Sequence, residues 1–185
     1  MTDASPPRPT APWRRFAAAR GGVAAVEFAL LVPVVLAMMA AAVDLTQAIS
    51  IKRKLVEIAY TASDLVAQRS DLTAADVSSI LTGSSAILLP NSTTNLDIVL
   101  SALNISGSKN IVAWASAVGT TAPAAGSTLT SVTVPSDIVV SGVQIIAAQV
   151  SYTYQPPFSG LFGSTVSLST VNLARPRTSK TVTLN

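Results

Sequence analysis

The chain has 185 residues and a mass of 18.9 kDa, room for one domain and an anchor or tail rather than a multidomain enzyme. Histidine and cysteine are both absent, which excludes thiolate nucleophiles, Ser-His-Asp triads, the usual zinc clusters and disulfides. With 49% hydrophobic residues, 11% charged residues and a mean hydropathy of +0.51, the chain is too apolar to be disordered and is expected to place a long segment in a membrane.

The net charge of +3 is concentrated at one end. Residues 1–22 hold Arg8, Arg14, Arg15 and Arg20 against Asp3, and the basic and acidic side chains of the remainder balance. Residues 72–174 carry only Asp76, Asp97, Lys109 and Asp137 as charges, so no basic face is expected to meet phosphates and no nucleic-acid partner is indicated.

In chain order, a basic leader over residues 1–22 precedes residues 23–43, VAAVEFALLVPVVLAMMAAAV, in which Glu27 is the single charge. A helix of that length rises roughly 30 Å, the thickness of a bilayer core. The arginines before it predict a cytoplasmic N-terminus and a translocated C-terminal part, a single pass through a bacterial inner membrane. Over residues 44–70 the helical period continues with Ile51, Leu55, Ile58, Ala62 and Leu65 on one face and charged residues between them. Gly and Pro are absent from residues 34–69, which predicts one helix of roughly 45 residues. Ser70 or Asp71 then reads as the N-cap of a short helix over residues 73–82.

After Pro90, runs of Ser, Thr, Val and Ile alternate with turn residues. Strands are expected at residues 96–103, 111–118, 128–134, 143–154 and 165–173, with turns at Ser106-Gly107-Ser108, 119–126, 135–137 and 156–163, an antiparallel meander. The expected class is α+β, a long N-terminal helix, membrane-embedded and then amphipathic, on a small, mostly antiparallel sheet domain, residues 71–185. Trp114, Tyr152 and Tyr154 read as core, Asn91 and Asn104 as plain loop residues despite their sequons, and the basic end with Arg175, Arg177 and Lys180 as a solvated tail. The aspartates lack calcium-loop spacing, so no metal and no cofactor is expected.

The membrane boundary reads Arg20-Gly21-Gly22-Val23-Ala24-Ala25-Val26-Glu27-Phe28. A glycine before a scissile bond lets the backbone approach an active site closely, and a carboxylate at Glu27 suits a new amino terminus one turn away. Pro33 removes the donor to the Ala29 carbonyl, and the helix is expected to bend or loosen there.

This segment resembles the G-x-x-x-x-E-F processing motif of TadE-like pseudopilins, relatives of the type IVb (Flp) pilins built by the tight-adherence machinery. The resemblance implies cleavage by a prepilin peptidase between Gly22 and Val23, with Glu27 and Phe28 becoming assembly residues. It also implies partners among other pilins, the inner-membrane assembly platform and membrane lipid, with no small-molecule substrate and no catalytic residue. The contrasting expectation is a secreted β-rich binding or adhesive domain, released by ordinary signal cleavage at Ala40-Ala41-Ala42. A membrane-anchored hydrolase would need a Ser-Lys or carboxylate site that no motif marks.

Overall fold

The computed structural model describes residues 21–107, 109–158 and 165–185. Most of the basic leader, Ser108 of the first turn and Gly163 of the last lie outside the described residues. The chain divides into two compact units, Met1–Val43 and Asp44–Asn185.

Helix α1 spans Gly21–Ala67 and contains Pro33. Its early part is apolar all round and largely exposed, with Phe28 at 69% and Met38 at 70%, the surface of a helix made for lipid rather than for a protein core. The helix continues unbroken through Pro33. The expected loosening is therefore not a break: one missing donor at Pro33 leaves the remaining intrahelical bonds to hold the turn.

The second unit has α+β architecture, with the α1 residues beyond Asp44 packed on a small antiparallel sheet. Ile51, Leu55, Ile58, Ala59, Ala62 and Val66 form the buried stripe of α1. Leu65, expected on that stripe, is 41% exposed. At 100° per residue it has rotated away from the centre of the face, and Val66 takes its place.

Beyond α1, strand β1 (Asp71–Leu72) precedes helix α2 (Ala74–Ser85), which leads into a 3-10 turn over Ala86–Leu88. The N-cap of α2 is Thr73, not Ser70 or Asp71. Its hydroxyl accepts from the Asp76 N–H, and the Asp76 carboxylate accepts from the Thr73 N–H at 2.9 Å, a reciprocal capping box. Ser70 and Asp71 are instead engaged with the C-terminus through β1.

Strands β2 (Leu96–Ser106), β3 (Lys109–Val118), β4 (Ile145–Tyr154) and β5 (Val166–Ala174) form a four-stranded antiparallel sheet in the order β3-β2-β4-β5. This is not the simple meander expected, because β4 pairs with β2 instead of β3. The free edge of β3 is already occupied: Val112 exchanges backbone hydrogen bonds with Gly126 and Ser127, and Leu129 donates to the Asn110 carbonyl. That covering stretch is the expected strand at residues 128–134. It makes a single bridge, Thr128 to Ile111, and otherwise follows an irregular path. The Asn110 side-chain amide donates to the Val132 carbonyl at 2.7 Å, substituting for part of a ladder.

Each face of the sheet buries a cluster. Ile98, Leu100 and Ala102 of β2, Trp114 of β3, and Ile146, Ala148, Val150, Tyr152 and Tyr154 of β4 join the α1 core, as expected of Trp114 and the two tyrosines. Leu103, Val112, Val132 and Ala147 form the other cluster. Val112 and Trp114, two apart, reach different clusters because the β2–β3 register shifts between Ala102 and Leu103. One extra residue in a strand reverses the alternation beyond it. Asn104, with its sequon, lies in β2 rather than in a loop.

The C-terminus is a strap, not a solvated tail. Strand β6 (Thr183–Leu184) pairs in parallel with β1, and the Arg177 N–H donates to the Ala67 carbonyl at 2.7 Å while its guanidinium pairs with Asp64. Val182 is buried, its N–H donating to Gln144 Oε1 at 2.9 Å and its carbonyl accepting from Trp114 Nε1 at 2.7 Å.

Candidate functional site

The residues singled out in the sequence cluster in the first three turns of α1. Gly22, Val23, Glu27 and Phe28 are all exposed. Positions 23 and 27 are four apart and so stack on one face, while Phe28 points about 100° away. The structure brings Val23 and Glu27 into this relation and gives Pro33 no side-chain role.

Gly22 is informative for what does not surround it. Among the described residues, no atom lies within 4 Å of where its Cβ would stand, and its backbone is not in the left-handed region. Gly119 shows the contrast: its φ is +82°, and a Cβ there would run into the Leu96 carbonyl and stand 2.7 Å from the Asp97 carboxylate. The fold requires glycine at 119 and would accept alanine at 22, where glycine costs a helix roughly 0.5–1 kcal/mol. Among the described residues, no packing contact calls for glycine at 22.

Among the described residues one helix is long and apolar enough to cross a membrane, and only 6% of its most apolar 18-residue window is buried. That exposure separates it from the core helix of a soluble protein. Glu27 stands inside this segment, where a carboxylate costs about 2.5–3.5 kcal/mol by insertion scales.

A cavity of about 680 Å³ opens under the stretch that covers β3, lined by Ile105, Asn110, Leu129, Val132 and their neighbours, with no charged side chain among the described lining residues. Among the described residues no group of three or more acidic side chains converges as metal ligands would.

Sequence reasoning passed over Asp44, treating it only as the end of the apolar run. Asp44 is 9% exposed, and neither carboxylate oxygen has a hydrogen-bond partner among the described residues. Tyr154 Oη donates to its main-chain carbonyl at 3.4 Å. The Tyr154 hydroxyl is pushed above its ordinary pKa of 10.0, first by burial, then by the nearby charges of Asp44 and Tyr152. The available signal was its phase: Asp44 stands seven residues before Ile51, in line with the apolar stripe.

These features define a class, an α+β protein with a long, exposed apolar helix that could serve as a membrane anchor and bears a glycine and a carboxylate at its start. Residues 22–64 match the family model described as TadE-like protein. The resemblance carried by Gly22, Glu27 and Phe28 is therefore borne out for residues 22–64, which are similar to that family. No curated protein and no solved structure matches the chain.

Proposed function

We propose that the protein is a minor pseudopilin of the tight-adherence pilus, cut by a prepilin peptidase between Gly22 and Val23 and acting in assembly rather than catalysis. The observation that carries this reading is the TadE-like match beginning at Gly22, a glycine that the fold itself does not need. The leader stays in the cytoplasm with its arginines, and the second unit stands in the periplasm or on the filament. Cleavage frees an α-amino group one turn from Glu27. That pair, within one chain or between neighbours, offsets the cost of a carboxylate in hydrocarbon and sets the register of packed helices. Partners are the peptidase, other pilins, the assembly platform and lipid, and the outcome is adherence and biofilm formation.

Release by an ordinary signal peptidase is less well supported, because a cut beside Ala40-Ala41-Ala42 would divide α1 inside a continuous helix and leave Glu27 unexplained. The deciding experiment is the N-terminal sequence and intact mass of protein from native membranes, with and without the prepilin peptidase. The expected product begins at Val23 and disappears without the enzyme. A start at Val43, or at Met1 in both strains, refutes the proposal.

A further inference from the structure

The two edges of the four-stranded sheet are treated differently by the chain. The β3 edge is covered through Gly126, Ser127 and Leu129. The β5 edge receives no strand among the described residues. Thr153 donates its N–H to the Asn95 carbonyl on the β2 side, so the odd-numbered residues of β4 turn their backbone groups toward β2 and the even-numbered ones toward β5. Through the register of Tyr152 with Leu168 and Val150 with Thr170, the even-numbered residues of β5 bond to β4. Ser167, Ser169, Val171 and Leu173 therefore turn their N–H and C=O groups outward.

Nothing in the sequence of β5 blunts this row. The strand is 9 residues long and carries no charge and no proline, and Ser167, Ser169 and Val171 are exposed. Such an edge is a template for another strand. Among the described residues one hydrogen bond closes it: Lys52, reaching from α1, donates its ammonium to the outward Ser169 carbonyl.

The occupant that β5 fits is a second β5. Laid antiparallel about Thr170, two copies overlap over the whole strand. Ser167 then stands opposite Leu173, Ser169 opposite Val171 and Val166 opposite Ala174, small against large at each place, and no like charges meet. Each outward residue exchanges two bonds with its counterpart, roughly eight backbone hydrogen bonds in all. The Ser169 carbonyl is where the neighbour's Val171 N–H must dock, and Lys52 already holds it. By strand spacing and rise the two Ser169 carbonyls of such a pair lie roughly 8 Å apart on one sheet. Two ammonium groups kept there repel each other within about one Debye length at physiological salt.

We propose that β5 is a latent pairing edge for a second copy of this chain, and that Lys52 holds it closed. The pairing is isologous: it consumes the open edge of both copies, the opposite edges are covered, and growth stops at a dimer. Lock and edge both lie in the second unit, and the proposal stands whether or not the chain is cut at Gly22.

The chain has no cysteine, so a single one introduced at Thr170 reports the pairing without background. In the proposed register position 170 meets its own copy as a non-hydrogen-bonded pair, about 4.5 Å between Cα atoms and within disulfide range. Full-length Thr170→Cys protein in detergent should stay monomeric under mild oxidant. Adding Lys52→Met, which keeps the aliphatic stem and removes the donor, should raise the disulfide-linked dimer about tenfold or more, and Lys52→Ala should do the same. Lys52→Arg should remain closed. Lys54→Met, whose ammonium holds the Leu88 and Leu89 carbonyls instead, should leave the yield at the parent level. Val171→Pro added to Lys52→Met removes an outward N–H while sparing the β4 ladder and should abolish the dimer, with circular dichroism confirming that each variant is folded. A yield unchanged by both Lys52→Met and Lys52→Ala, an equal rise with Lys54→Met, or larger species without the engineered disulfide would overturn the proposal.

Discussion

The C-terminal strap can be tested by cutting its two side-chain grips separately and together. Val182 is held from both sides, its N–H on Gln144 Oε1 at 2.9 Å and its carbonyl on Trp114 Nε1 at 2.7 Å. Gln144→Ala leaves a buried N–H without an acceptor, at a cost of about 1–3 kcal/mol. Trp114→Phe orphans the carbonyl at a similar cost and also thins the packing under Val182. For a chain of this size each kcal/mol lowers Tm by about 2–4 °C. Each single variant should therefore melt several degrees below the parent, followed by circular dichroism on the full chain at fixed detergent concentration. Because both grips hold one residue, the double variant should lose less than the two single losses combined: once the strap detaches, the second grip has nothing to hold. Ser131→Ala, which removes an exposed bond to Gln149 Oε1, is the control and should stay within about 0.5 kcal/mol. Single variants within 0.5 kcal/mol of the parent, or strict additivity in the double, would refute the strap as a cooperative element.

Three further outcomes follow from local geometry. Gly119→Ala should destabilise by at least about 1–2 kcal/mol, because its backbone is left-handed and its Cβ would meet Leu96, whereas Gly22→Ala should leave the melting curve unchanged or slightly raised while blocking the appearance of a Val23 terminus. The Asp76 carboxylate is held below its ordinary 3.8 first by the Thr73 hydroxyl and then by the Thr73 N–H. Its contribution is present above that ordinary value and lost as pH falls through the depressed one, so the stability gap between the parent and Thr73→Ala should narrow in acid, as read by helix content against pH. Asp44→Asn removes the second cause of the raised Tyr154 value, so a phenolate absorbance titration should move partway toward 10.0, with burial keeping the remainder; no movement would show that Asp44 does not act on this hydroxyl.

The helix was legible because its causes are local. A 21-residue apolar run, a 3.6-residue period and the lack of Gly or Pro over residues 34–69 act within a few turns, and α1 spans Gly21–Ala67. The strands at 96–103, 111–118, 143–154 and 165–173 were legible for the same reason. Their order was not, because it depends on which segment reaches the β3 edge first, and the bonds from Gly126, Ser127 and Leu129 that settle it arise from an irregular stretch. The alternation in β3 was misleading at Val112, since the register shift that turns it is a property of the pair, not of the strand. Arg177 looked solvated because nothing in its neighbourhood in sequence names Asp64 or Ala67, more than a hundred residues earlier. The capping box of Thr73 and Asp76 could have been found: Thr-x-x-Asp before an apolar period is a variant of a known start signal.

Gly22 and Asp44 break local rules in opposite directions, the first exposed and the second buried. At Gly22 the fold would accept, and by propensity prefer, a residue larger than the one present. At Asp44 the stripe would accept an aliphatic residue and holds a carboxylate without a hydrogen-bond partner among the described residues. A residue that lowers the stability of the isolated chain without an internal compensation marks a function exercised with another molecule. The first lies where the TadE-like match begins and the second within the same matched stretch, residues 22–64. Among the described residues, the one other buried side chain without a partner is Ser84 in α2, and the buried polar side chains of the sheet are satisfied internally. Under the proposed pseudopilin reading, the matched helix carries the contacts with other molecules and the sheet domain is asked for no chemistry of its own.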